Sequence, residues 1–116
     1  MQEDSYYYYI KGDESLKKGE IDVAILCFKK SLNSSKHFKT YFKLYECYTI
    51  IEQFDTANSY LELAYFLNKK NDKTALEYAK FLIDRGCISE AKNILMDIIK
   101  RNPSYKKAYE VYYNLK

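Results

Sequence analysis

Apolar residues recur along this chain at intervals of three and four positions, in segments separated by short polar stretches. This spacing places the apolar side chains on one face of an α-helix, whereas a half-buried strand would alternate apolar and polar residues. The pattern therefore predicts no strand. It predicts helices near residues 5–17, 21–33, 38–51, 54–68, 73–85, 88–101 and 104–115.

The turns between these helices carry breaker residues. Gly19 and Gly86 each follow an apolar run, and glycine suits the left-handed residue that ends many helices. The stretch Ile51–Gln53 has no glycine, so the turn there is assigned from its spacing alone. Pro103 disfavours the helical conformation at Asn102, and we expect a helix to end at that residue.

An internal repeat runs through the helical pattern. Ala24, Ala57 and Ala91 lie 33 and 34 residues apart. A large apolar residue follows each alanine four positions later, namely Phe28, Leu61 and Leu95. A period of this size is typical of a solenoid, in which stacked helix pairs bury a continuous core. Such proteins mostly present a binding surface and seldom carry chemistry.

The repeat resembles the tetratricopeptide repeat, which has a large aromatic residue, Leu-Gly and Tyr in its first helix, and Ala-x3-Phe in its second. The middle copy carries Tyr41, Leu44, Tyr45, Tyr48, Ala57 and Leu61. The third copy carries Ala75, Tyr78, Ala79, Leu82, Ala91, Leu95 and Pro103. The first copy is weaker and carries Tyr8, Gly12, Ala24 and Phe28.

The resemblance implies an all-α fold, an α-solenoid of about three helix-turn-helix repeats with a C-terminal capping helix. A single domain over 1–116 is expected, with repeats at about 5–37, 38–71 and 72–105 and the cap over 104–116. Tyr45 departs from the pattern, because Gly12 and Ala79 hold the matching small-residue positions. Small residues let paired helices approach closely. We therefore expect local widening at Tyr45, or a ring directed out of the contact.

Composition and charge narrow the functional class. The 116 residues include 14 Tyr, no Trp, three Gly and one Pro, and so few turn formers disfavour an all-β fold. The net charge of +3 has both signs interspersed, without a compact basic cluster, so no nucleic-acid partner is predicted. The acidic N-terminus and the lack of a long apolar run predict a cytoplasmic protein with no membrane contact.

No catalytic or metal-binding constellation is evident. Cys27, Cys47 and Cys87 are odd in number and have no CxxC spacing, which favours free thiols. His37 is the only histidine, and no nucleophile–base pair accompanies it. The sequence therefore predicts no enzyme activity, no cofactor and no metal.

The resemblance implies that the first helix of each pair lines a concave groove. Aromatic residues there would anchor a partner, and lysines would attract its acidic groups. The predicted groove residues are Tyr6, Tyr9, Asp13, Lys39, Phe42, Lys43, Glu46, Lys73, Leu76 and Lys80. We expect these faces not to pack between helices.

A known clamp of this repeat family is not reproduced. Some tetratricopeptide domains hold the C-terminal carboxylate of chaperones through Lys, Asn and Arg residues. The aligned residues here are Tyr9, Asp13, Lys43, Lys73 and Glu77, and only Lys73 matches. Chaperone tails are therefore not expected as partners.

The favoured function is a protein–protein interaction module that binds a polypeptide with acidic and apolar groups and acts as adaptor or regulator. One alternative is a structural element that self-associates through its tyrosine-rich ends, such as the run Tyr6–Tyr9. Another is the sensor or scaffold part of a larger regulatory protein.

Overall fold

The computed structural model describes residues 4–115, and this stretch is helical without any strand. The helices are α1 (Ser5–Lys17), α2 (Ile21–Ser34), α3 (Phe38–Ile50), α4 (Phe54–Leu67), α5 (Asp72–Asp84), α6 (Ile88–Arg101) and α7 (Lys106–Tyr113). Their ends lie within two residues of the predicted ones. The all-α prediction is confirmed.

The chain forms two compact units, α1 to α4 up to Leu67 and α5 to α7 from Asn68. In the first unit α1 packs against α2 and α3 against α4, and α3 also contacts α2 and α1. In the second unit α5 packs against α6, and α7 lies on α6. The single-domain boundary over 1–116 stays a prediction.

The repeat positions form the core of each unit. Ala24, Ala57 and Ala91 are fully buried, as predicted for the small residues of the second helices. The first unit buries Ala24, Phe28, Leu44, Cys47, Tyr48 and Ala57 as one cluster. In the second unit the buried apolar residues include Ala75, Tyr78, Ala79, Leu82, Leu95, Ile98 and Ala108.

Gly12 is buried on α1, which packs against α2. A Cβ atom added there would lie 2.7 Å from Cε1 of Phe28, which is itself fully buried. At the matching position of α3, Tyr45 is half-buried at the edge of the core, with its ring centroid 5.3 Å from that of Phe42. Gly12 thus permits a contact that a larger side chain would block.

The helix ends follow the predicted turn chemistry with one exception. Gly19 and Gly86 have φ angles of 79° and 82°, the left-handed conformation that glycine adopts without strain. Glu52 occupies the corresponding turn after α3 with a φ of 62°. A glutamate thus takes the backbone conformation that the other two turns assign to glycine.

Candidate functional site

Three of the predicted groove residues meet in an ionic network between α1 and α3. Lys43 Nζ lies 3.0 Å from Asp13 Oδ1 and 3.7 Å from Glu46 Oε1. Lys17 Nζ reaches Asp13 Oδ2 at 3.2 Å. Asp13 and Lys43 expose only 22% and 26% of their side chains, so water screens this pair less than a fully exposed one.

The pKa shifts follow from these contacts. The close ion pair with Lys43 is the main cause that lowers the pKa of Asp13, and Lys17 adds to it against the opposing effect of burial. Burial by itself lowers the pKa of Lys43, but the ion pair with Asp13 and the charge of Glu46 outweigh it, so this pKa is raised. Burial also raises the pKa of Tyr9. Lys43 is therefore a charged side chain whose charge is already balanced within the protein.

Phe42 and Leu76 correct the sequence prediction, because they are buried rather than offered to a partner. They expose 7% and 2% of their surface. Phe42 precedes Tyr45 by three residues, and Leu76 precedes Ala79 by three. Residues three apart are neighbours on a helix surface, so both side chains lie on the packed side of their helices. The expectation that these faces do not pack between helices is wrong for both residues.

The residues that precede Gly12, Tyr45 and Ala79 by six positions are exposed. These are Tyr6, Lys39 and Lys73, and Tyr6 exposes 71% of its surface. Lys80, one position after Ala79, is also exposed and lies 3.1 Å from Glu77. The exposed part of the predicted set is therefore an aromatic ring and several lysines. Their arrangement as one groove stays a prediction.

A cleft of about 370 Å³ opens in the first unit beside Tyr6. It lies between the beginning of α1 and the connection from α2 to α3. Its lining residues are Ser5, Tyr6, Tyr9, Ser35, His37, Lys39 and Thr40. The structure thus brings together Tyr6, Tyr9 and Lys39 from the predicted set, and the other four were missed.

Two of the missed residues, Ser35 and His37, belong to the connection between the two helix pairs of the first unit, whereas Ser5 begins α1 and Thr40 lies in α3. His37 is the N-cap of α3, and its Nδ1 accepts a hydrogen bond from the backbone N–H of Lys39 at 3.2 Å. Ser35 precedes it in the same connection. The polar character of this joint was visible in the sequence, but its position beside the start of α1 depends on how the pairs stack.

The thiols differ in access. Cys47 is buried, which raises its pKa to about 11, whereas Cys87 is exposed and Cys27 lies between these extremes. Among residues 4–115, no three His, Cys, Asp or Glu side chains are grouped closely enough to hold a metal ion. In the same range, no helix is long and apolar enough to cross a membrane.

Comparison with solved structures finds the same fold in several proteins. The first tetratricopeptide domain of Spaghetti (RPAP3), bound to an HSP90 peptide SRMEEVD, superposes with a TM-score of 0.77 at 21% identity, covering 95% of this chain and 88% of that one. The tetratricopeptide domain of Arabidopsis OM64 gives 0.75 at 18% identity, covering 97% and 93%. The second such domain of human RPAP3, in complex with an HSP70 peptide, gives 0.71 at 18% identity, covering 94% and 95%.

Sequence comparison adds no relative to these structural matches. No protein-family model matches the sequence, and no curated protein matches it at a significant level. The likeness therefore concerns the fold, and it extends over nearly the whole chain. The chain has the tetratricopeptide-repeat fold that the resemblance of its repeats implied.

Proposed function

We propose that this protein binds another polypeptide along the exposed residues of its first helices and acts as an adaptor or regulator rather than as an enzyme. Domains of the same fold bind peptides, as the two RPAP3 complexes do. The observation that carries the proposal is the cleft beside Tyr6, with Lys39 at the neighbouring helix start. Exposed aromatic rings are residues that recognition surfaces favour, and an exposed lysine attracts acidic groups of a partner.

The partner suited to this surface presents acidic groups and an apolar side chain. Lys39 in the first unit, and Lys73 and Lys80 in the second, each have an exposed side chain. Exposed charges mainly accelerate encounter and select for opposite charge. Because Phe42 and Leu76 are buried, we expect Tyr6 to make the apolar contact with the partner. We propose the cytoplasm as the place of this interaction.

The ionic network sets a limit on where an acidic group can bind. Asp13 already provides a carboxylate to Lys43 and Lys17. An acidic ligand at that place would meet Asp13 and Glu46, and like charges at an interface disfavour a partner. We therefore expect the peptide SRMEEVD, which binds the Spaghetti domain, to bind this chain weakly.

The test is selection of binders from a random peptide library, followed by titration of the selected peptides. Tyr6→Ala should weaken them, whereas Tyr113→Ala should not. The two rings are a matched pair, since they expose 71% and 72% of their surface and lie near opposite ends of the chain. Failure to select any peptide, or equal effects of the two variants, would contradict the proposal.

A second candidate function is self-association through the terminal tyrosines. Tyr113 is exposed and its ring stacks on that of Tyr109 at 6.2 Å, and Tyr7 is exposed on α1. Exposed tyrosines bring contact area at a low entropy cost. Light scattering separates the candidates, because a self-associating protein grows in mass with concentration and Tyr113→Ala would then reduce that growth. A role as sensor or scaffold within a larger protein is compatible with either candidate.

A further inference from the structure

The cleft between the beginning of α1 and the α2–α3 connection has one well-fixed wall. Tyr9 packs its ring on buried Phe28 with centroids 5.7 Å apart. The first residue of α1, Ser5, accepts a hydrogen bond on its backbone oxygen from buried Ser31 at 2.7 Å, and the two hydroxyls lie 2.9 Å apart. The start of α1 is thus anchored to α2. A wall held in this way is preorganised, which reduces the entropy cost of binding.

The other wall supplies cationic and donor groups. His37 Nδ1 is engaged by the Lys39 backbone N–H, so a neutral ring carries its proton on Nε2 and can donate a hydrogen bond from there. The ring is held by stacking on Phe38 with centroids 5.0 Å apart. The Lys39 side chain is exposed at the cleft. Among the described residues that line the cleft none is acidic, and Lys39 brings a positive charge to it.

The size of the cleft limits its occupant. A volume of about 370 Å³ lies at the lower end of the range for ligand pockets. It suits one large side chain with a neighbouring group and not a longer segment. Tyr6 and Tyr9 lie three residues apart on α1 and present apolar ring surface, against which an aromatic side chain can stack.

We propose that this cleft is a subsite for an aromatic side chain next to a carboxylate in the partner polypeptide. The aromatic ring lies against Tyr6 and Tyr9, and the carboxylate accepts hydrogen bonds from Lys39 and His37. This proposal rests on the proposed function, since it specifies which feature of the bound polypeptide is read in the first unit. It also places the acidic group away from Asp13, where the ionic network opposes one.

The test uses three blocked dipeptide probes, acetyl-Glu-Phe-amide, acetyl-Gln-Phe-amide and acetyl-Glu-Ala-amide, titrated into the isotope-labelled full chain. Amide resonances report where each probe binds. The Glu-Phe probe should shift the amides of residues 35–40 and of Tyr6. Loss of the charge, in Gln-Phe, or of the ring, in Glu-Ala, should each weaken binding about tenfold, as expected for a charge-assisted hydrogen bond or a buried ring.

Matched variants assign the effect to the cleft. Lys39→Gln should weaken the Glu-Phe probe about tenfold and should leave the Gln-Phe probe unchanged. Lys36→Gln removes the same charge from an exposed residue of the same connection that does not line the cleft, and it should change neither. The amide spectrum of each variant shows whether the fold is retained.

The outcomes separate this proposal from the proposed function. Shifts outside the cleft, equal binding of Glu-Phe and Gln-Phe, absence of binding, or equal effects of Lys39→Gln and Lys36→Gln would each overturn the subsite. If library peptides still depend on Tyr6 in those cases, the proposed function stands and only the subsite is wrong. If no library peptide binds either, both are wrong.

Discussion

The contact between Gly12 and Phe28 gives the sharpest prediction of stability. In Gly12→Ala the new Cβ would lie 2.7, 2.8 and 3.0 Å from Cε1, Cδ1 and Cζ of Phe28. Carbon atoms prefer a separation of about 3.5–4.0 Å, so the ring must move. Phe28 is fully buried in the core of the first unit, against Tyr9, and packed protein interiors leave few voids for such a movement.

Two opposing effects set the magnitude. Overpacking of a filled core costs about 1–3 kcal/mol. Replacing glycine by alanine inside a helix gains about 1 kcal/mol. We expect a net loss of about 1 kcal/mol, which lowers the melting temperature by about 4 °C in a domain of this size. Urea unfolding followed by far-UV circular dichroism measures this free energy.

When Phe28 is replaced by a smaller residue, the effect of Gly12→Ala on stability should change sign. In Phe28→Val all three of the contacted ring atoms are gone, so Gly12→Ala should then raise stability by up to about 1 kcal/mol through helix propensity alone. Gly19→Ala is the control, because Gly19 has a φ of 79° with nothing within 4 Å of an added Cβ. It should cost about 1 kcal/mol in both backgrounds, since its penalty is backbone strain. A loss on Gly12→Ala that is the same in both backgrounds would refute the close-packing explanation.

Three further predictions concern other parts of the chain. Ala57→Leu should lower stability by about 1–3 kcal/mol, because Ala57 is fully buried between α3 and α4 and a larger side chain overpacks the contact; an unchanged melt would contradict this. The lowered pKa of Asp13 means that its ionic contribution is present above the unfolded pKa and is lost as pH falls below about 4. Stability of Asp13→Asn should therefore fall less steeply than that of the wild type across this acid range, and parallel curves would argue against the network. Without denaturant a thiol reagent should modify Cys87 quickly and Cys47 only on unfolding, because Cys47 is buried with a pKa of about 11; mass spectrometry of digests distinguishes the two.

The spacing of apolar residues predicted the helices, and the repeat indicated how they pair. The three-and-four spacing of apolar residues defines the buried face of each helix whatever its neighbours are. The alanines at the repeat period identify where paired helices come closest, and all three are fully buried. Gly19 and Gly86 ended helices as expected, since left-handed backbone is a local property of glycine.

The sequence predicted the exposed residues only in part, because their exposure depends on which sides of each first helix are buried by neighbouring helices. Tyr6 and Lys39 are exposed as predicted. The sequence predicts Phe42 and Leu76 as groove residues because they do not belong to the row that faces the paired helix. Their burial shows that the packed side of a first helix is wider than that row, and periodicity measured within one helix does not reveal this width.

The ionic network and the cleft were decided by tertiary structure alone. Lys43 and Asp13 lie 30 residues apart in sequence, and only the packing of α3 beside α1 places their charges 3.0 Å from one another. The sequence shows no partner for His37, whereas the fold places it in one cleft with Tyr6 and Tyr9. Sequence determines which groups a helix presents along each face, because that depends on the geometry of a single helix. Contacts between helices decide which of those groups are neutralised, which are buried and which meet in a cleft. Those contacts depend on tertiary structure, so a single helix does not reveal them.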